Sequence, residues 1–208
     1  MCCYFTNVHA MDSSEKFDVR ALARAVYGAN YSKSVGGRNS DTCTEKWQKP
    51  FKFLVQDPSE VLSASLYARF YDDVNSVMPQ WVDDSSRHQI EIKIDQKIQA
   101  SFDDSDSYKA LCSAQRLTKS GCEIIDATIV LPGNLDEPRM AYCLYHEFMH
   151  TIGFQGHIWS VESILNPNLD LQTFSVWDQI GLQFLYDEKI KSNLSPGQVL
   201  KIWRQRKP

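Results

Sequence analysis

Residues His146-Glu147-Phe148-Met149-His150 carry the side chains best suited to chemistry. Two imidazoles four positions apart on a helix lie about 40° apart around the axis and one turn along it, so both can reach one ion. Glu147 sits one step round from His146, poorly placed to share a metal and well placed to take a proton from water beside it. Leu144, Phe148 and Ile152 fall on the opposite side and give the helix a stripe for the core. Gly153 stands where a helix ends on a C′ glycine, and Gly156 lets the chain turn back so that His157 offers a third nitrogen. Five histidines occur in 208 residues, and three of them lie between positions 146 and 157. Three protein ligands with a water in the fourth position make a catalytic zinc site; a structural site is closed by a fourth side chain. An isolated HExxH arises by accident in about 1 in 100–200 chains of this size. Helix context, a terminating glycine and a third histidine set this one apart.

The helix that carries the motif has Asp136 as N-cap and Pro138 in its first turn. A strand from Ile124 to Leu131, closed by Pro132-Gly133-Asn134, precedes it. Further upstream, Phe17 to Ala29 has helical spacing and Phe51 to Val55 reads as a strand. Asp57-Pro58-Ser59-Glu60 opens a helix with Leu62, Leu66, Phe70, Val74 and Val77 on one face. Ile90, Ile92 and Ile94 alternate with Glu91 and Lys93, the pattern of a strand with one wet face. Downstream, helices are expected over about Val176 to Asp187 and Pro196 to Arg204. Residues 30–48 and Ser113 to Gly121 read as polar loops. The acidic run 101–107 lacks the glycine and terminal glutamate of an EF-hand and reads as a solvated loop. This order predicts a mixed α/β or α+β layer architecture without internal repeats. Residues 1–15 form a polar tail, and 16–208 a single domain with an N-terminal part (16–156) and a C-terminal part (157–208).

Lys+Arg number 22 against 26 Asp+Glu, a net charge of −4, so there is no general basic footprint and nucleic acid is not the expected partner. No apolar run approaches the roughly 18 residues of a membrane span. Cys112 and Cys122 flank the polar stretch after Ser113 and either bridge across it or stay free thiols; Cys143 reads as a small buried hydrophobe. Cys2, Cys3 and Cys43 have no switch motif around them that would mark a metal-capping thiol. His9 and His88 lie in polar surroundings and are expected at the surface. Met1-Cys2-Cys3 leads into no basic or long apolar segment, so the chain is either cytosolic or begins after a removed export segment, with an extracytoplasmic site as the working expectation. A monomer is expected.

The run His146-Glu147-x-x-His150-x-x-Gly153-x-x-x-His157 resembles the metzincin zinc-peptidase signature HExxHxxGxxH, with one residue more before the last histidine. Ser163-Ile164-Leu165-Asn166-Pro167 resembles the family's Met-turn, with leucine where the family has methionine, and Asp178 to Tyr186 resembles its closing helix. The resemblance covers about residues 124–187. It implies a zincin-like α+β fold, a mixed sheet of three to five strands packed on the active-site helix and followed by a C-terminal helical subdomain. It also implies one catalytic Zn2+ on His146, His150 and His157, with Glu162 and Asp170 as alternatives for the third position, and Glu147 as general base in peptide-bond hydrolysis. Metzincin substrates pair with an edge strand above the cleft; Ile124 to Leu131 is the candidate here, with plain core as its alternative use. Tyr186 reads as packing under the helix. A second similarity links Lys46-Trp47-x-x-Pro50 and the region from Leu185-Tyr186-Asp187 to Pro196-Gly197 to an uncharacterised bacterial domain family that includes lipoprotein-like members.

The expected function is therefore that of a zinc metallopeptidase acting on a peptide or protein. Two rivals are a non-catalytic zinc- or protein-binding module on the same scaffold, and a zinc amide hydrolase acting on cell-wall peptide.

Overall fold

The computed structural model of the chain describes residues 19–28, 31, 43–100, 109 and 111–205. In chain order its elements are α1 (Val19–Tyr27), β1 (Lys46–Trp47), β2 (Phe51–Gln56), α2 (Ala64–Val77), β3 (His88–Asp95), β4 (Ser113–Lys119), β5 (Glu123–Pro132), α3 (Glu137–Thr151), α4 (Val176–Leu185) and α5 (Pro196–Gln205). The fold is α+β: a five-stranded, mostly parallel sheet with five helices among the described residues. No helix among them is long and apolar enough to cross a membrane.

β5 is the sheet's axis. β3 pairs parallel with it from Ala127 to Pro132, and β1 pairs parallel with Glu123 and Ile124. β4 pairs antiparallel with β5, with a register shift between Leu117 and Thr118. Glu123 pairs with both Lys46 and Lys119, so β1 lies on the β3 side and β4 on the other. β2 lies parallel to β3 and forms the second edge. Alternation did its expected work in β3, where Ile90, Ile92 and Ile94 are buried.

α3 packs on β5 and β4, and α1 on α5. Its Phe148 lies among Phe51, Phe53, Phe70 and Phe174, with ring centroids 5.4–6.4 Å away, while Tyr145 meets Phe70 at 5.2 Å. Asp136 caps the helix by accepting from the Arg139 amide at 3.1 Å, as its residue type predicts.

Four expectations need correction. Ser113 to Gly121 is not a loop: residues 113–119 form β4, an edge strand whose polar side chains conceal any alternation. The strand from Ile124 to Leu131 is accordingly central and cannot serve as the free edge. Cys112 bonds Cys143 and Cys122 bonds Cys43, so Cys112 and Cys122 are neither bridged to each other nor free thiols; Cys143 is buried, as read, and is half of a disulfide. An antiparallel strand holds Cys112 and Cys122 apart at its two ends, which excludes the local bridge. His88 is half-buried, its Nδ1 3.1 Å from the Ile125 carbonyl oxygen. In addition, Asp57 accepts from the Leu62 amide at 2.6 Å in a turn, and the helix starts later, on the N-cap Ser63. The tail 1–15 with Cys2, Cys3 and His9, and the acidic run 101–107, lie outside the described residues.

Candidate metal centre

α3 is buried along most of its length, including His146 and Glu147. Its geometry brings the imidazoles of His146 and His150 to one side, with their Nε2 atoms 3.2 Å apart. His157 joins them, its Nε2 3.2 Å from that of His146. All three ligand atoms lie within 4.8 Å of one another.

The other ring nitrogens decide the chemistry. His146 Nδ1 lies 2.7 Å from the Ile164 carbonyl oxygen, and His150 Nδ1 lies 2.7 Å from that of Phe154. A carbonyl can only accept, so each Nδ1 carries the proton and each Nε2 is left as a bare lone pair. Two bare lone pairs facing each other at 3.2 Å repel, unless a cation sits between them. Ligands about 2.0–2.1 Å from a tetrahedral ion stand about 3.3 Å apart, close to what the nitrogens adopt. Carbonyl partners at Nδ1 are also the usual outer shell of metal-bound histidines. The donor set therefore fits a divalent ion of zinc's type.

Burial lowers the histidines' proton affinity, to about 4 for His146 and about 3 for His150, so both are neutral at physiological pH, the form a metal requires. Burial likewise pushes Glu147 up to about 8. Glu162 and Asp170 do not join the cluster: both are exposed, and Asp170 pairs with Lys109 at 2.8 Å.

The positioning of these rings can be traced outward. The carbonyl that orients His146 belongs to a turn in which the Asn166 amide donates to the Ser163 carbonyl at 2.8 Å. Buried Asp178 holds that turn, accepting from the Ser163 hydroxyl at 2.5 Å and the Ile164 amide at 3.0 Å. Asp178 is itself fixed by the capping box it shares with Ser175 at the start of α4. Leu165 is fully buried, and its carbonyl accepts from the Ile158 amide at 3.1 Å, next to His157.

The end of α3 is capped by side chains from distant strands and turns. Arg116 of β4 donates to the carbonyls of His150 and Phe154, and its Nε lies 3.0 Å from Glu45. Trp47 donates to Thr151 O at 3.1 Å, and Tyr186 to Ile152 O at 2.8 Å, which gives Tyr186 the packing role expected of it. Gly153 has φ +121°, and a Cβ there would stand 2.1 Å from the Glu45 carbonyl oxygen, so no other residue fits. Arg116 and Asp178 have positioning roles that the sequence did not reveal. For Asp178 the Ser175-x-x-Asp178 spacing was a usable signal; for Arg116, hidden in a polar edge strand, there was none.

Buried Lys46 donates to the carbonyls of Leu185 and Ile190, each at 2.9 Å, and lies 4.8 Å from the Tyr186 ring centroid. A family model described as "Protein of unknown function (DUF2927)" matches residues 27–205. The chain belongs to this family. The DUF2927 match runs from the end of α1 to the end of α5 and takes in the whole histidine cluster. It agrees with the similarity of the Lys46-Trp47 and Leu185-Tyr186 segments to an uncharacterised domain family, and these segments meet beneath α3. No curated protein and no solved structure matches the chain.

Proposed function

We propose that this DUF2927 chain is a zinc-dependent peptide-bond hydrolase with a zincin-like catalytic domain. The observation that carries the reading is the convergence of three imidazole Nε2 atoms, two of them from the helix that also carries buried Glu147. His146, His150 and His157 would hold the ion. When bound, zinc would supply Lewis acidity and let water give up a proton near neutral pH, the form in which it attacks a carbonyl.

The chain's own residues do the rest. Glu147, as the carboxylate, accepts the proton of the attacking water and returns it to the departing amine. β4 offers an unpaired backbone edge among the described residues, on which an extended peptide can add as a strand. Leu165, fully buried next to the carbonyl that orients His146, suits the apolar role that methionine has in metzincins.

Glu147→Gln tests the reading. Wild type with bound Zn2+ is expected to cleave a peptide library, and the variant to keep its metal and fold while losing at least about a hundredfold in turnover. Unchanged turnover in the variant would remove Glu147 as the base. A zinc-loaded wild type that cleaves no peptide favours the non-catalytic binding module.

A further inference from the structure

Beside the histidine cluster lies a cleft of about 420 Å3, within the range of ligand pockets and lined in part by His157. Two backbones cross at its edge with no side chain between them. A Cβ on Gly156 would stand 2.8 Å from the Gly28 Cα, and one on Gly28 would stand 3.0 Å from the Gln155 carbonyl oxygen. The amides of Gln155 and Gly156 both donate to the Ala25 carbonyl at 2.8 Å, which fixes the crossing.

The lining has a definite chemistry. Trp159 is 63% exposed, its ring centroid 6.2 Å from that of His157, and Tyr31 contributes a second aromatic ring. The Arg24 guanidinium lies 5.9 Å from the centroid of the Tyr31 ring. Among the described residues no acidic side chain lines the cleft and no carboxylate pairs with Arg24. A guanidinium carried beside an aromatic face, with no carboxylate paired to it among the described residues, is suited to bidentate recognition of a carboxylate. The two aromatic rings supply rigid apolar walls for the carbon chain that bears it.

We infer that this cleft is a subsite for a carboxylate-bearing residue of the substrate, with Arg24 as its specificity-determining cation. The carboxylate is either an acidic side chain or the C-terminus of the peptide. Because His157 belongs to both the cleft and the histidine cluster, the residue bound here lies near the bond to be cleaved in the substrate sequence. The inference rests on the peptidase reading for its reaction, while recognition in the cleft is measurable without turnover.

Binding is read by calorimetry on the full zinc-loaded chain carrying Glu147→Gln. The probes are acetylated, amidated pentapeptides of alanine in which Glu, Gln or Lys is moved through each position, and pentaalanine with a free or amidated C-terminus. A carboxylate in one of these settings is expected to bind at least about tenfold more tightly than its amide counterpart. Adding Arg24→Gln abolishes that contrast, and Arg24→Glu inverts it in favour of Lys, with metal content and thermal midpoint unchanged. A contrast confined to side chains identifies an acidic-residue subsite; one confined to the terminus identifies a C-terminal subsite. No contrast with Arg24 present, or a contrast that survives Arg24→Glu, overturns the inference. If binding behaves as expected while wild type hydrolyses none of the probes, the subsite stands and the peptidase reading alone falls.

Discussion

His146 and His150 project from α3, with Nδ1 of each fixed at 2.7 Å on a carbonyl. His157 stands on irregular chain, exposed, with no hydrogen bond to its Nδ1 among the described residues. The first two are preorganised by a helix whose ends are capped and whose apolar side is locked into an aromatic cluster. The third is tied in through its neighbour Ile158, whose amide donates to the Leu165 carbonyl of the turn held by Asp178, the same turn that orients His146. One part of the site is thus built into the core, and the other is attached to it by a few polar contacts. A ligand on the attached part is adjustable, and it is also the ligand that borders the cleft.

The widest expected gap between the two regions is in metal affinity. His150→Ala should weaken zinc binding by on the order of a thousandfold, and His157→Ala by about ten- to a hundredfold, because an unanchored ligand returns less of the ordering it costs. Competition against a fluorescent chelator measures both; equal losses would erase the distinction. Gly153→Ala attacks the junction between the regions. The clash with the Glu45 carbonyl and the positive φ should together cost about 3 kcal/mol or more of stability, read from urea denaturation. An unchanged midpoint would mean that the strand-to-helix crossing is looser than described.

Asp178→Asn probes the attachment itself. It removes the charge that accepts from Ser163 and Ile164, and zinc affinity should fall by about ten- to a hundredfold while α3 stays folded by circular dichroism. Full affinity in this variant would show that His146 needs no help from the turn.

A last contrast concerns pH in the metal-free protein. Burial holds His146 near 4 and His150 near 3, against 6.5 when exposed, so the unfolded chain takes up more protons as pH falls below 6.5. Their contribution to stability is present above that pH and is lost as pH falls toward those values. Glu147 acts the other way: with its affinity raised from 4.5 to about 8, its contribution is present below 4.5 and lost as pH rises through 8. The three groups together place their optimum near pH 6.5, which a series of thermal melts in chelator would locate. A maximum above pH 8 would contradict the burial of Glu147.

Local signals made much of this legible. The caps and spacing of α3, the alternation of β3 and the residues of HExxH are short-range patterns, and each became the element or cluster it suggested. What escaped depends on contacts distant in sequence. β1 is two residues long and exists only because Glu123 and Ile124 accept it as a partner. β4 looked like a loop because one side of an edge strand faces water, and that error alone made β5 seem to be the edge. The sulfur pairings followed from the same strand, which separates Cys112 from Cys122. Arg24, one exposed residue of a short amphipathic helix, gained its proposed role only when Gly28 and Gly156 brought its helix against the chain beside His157.

The two disulfides have a joint consequence. Cys112 immediately precedes β4 and bonds α3, while Cys122 lies in the turn that follows it and bonds Cys43. An open strand edge ordinarily invites fraying and unwanted partners. This one is clamped at both ends, like a rail bolted to its bed, which ties it to α3 and to Cys43. Such bolts form where thiols are oxidised. A chain kept in a reducing milieu has every histidine of the cluster and lacks the bolted rail, so the surroundings in which the protein matures become part of its architecture.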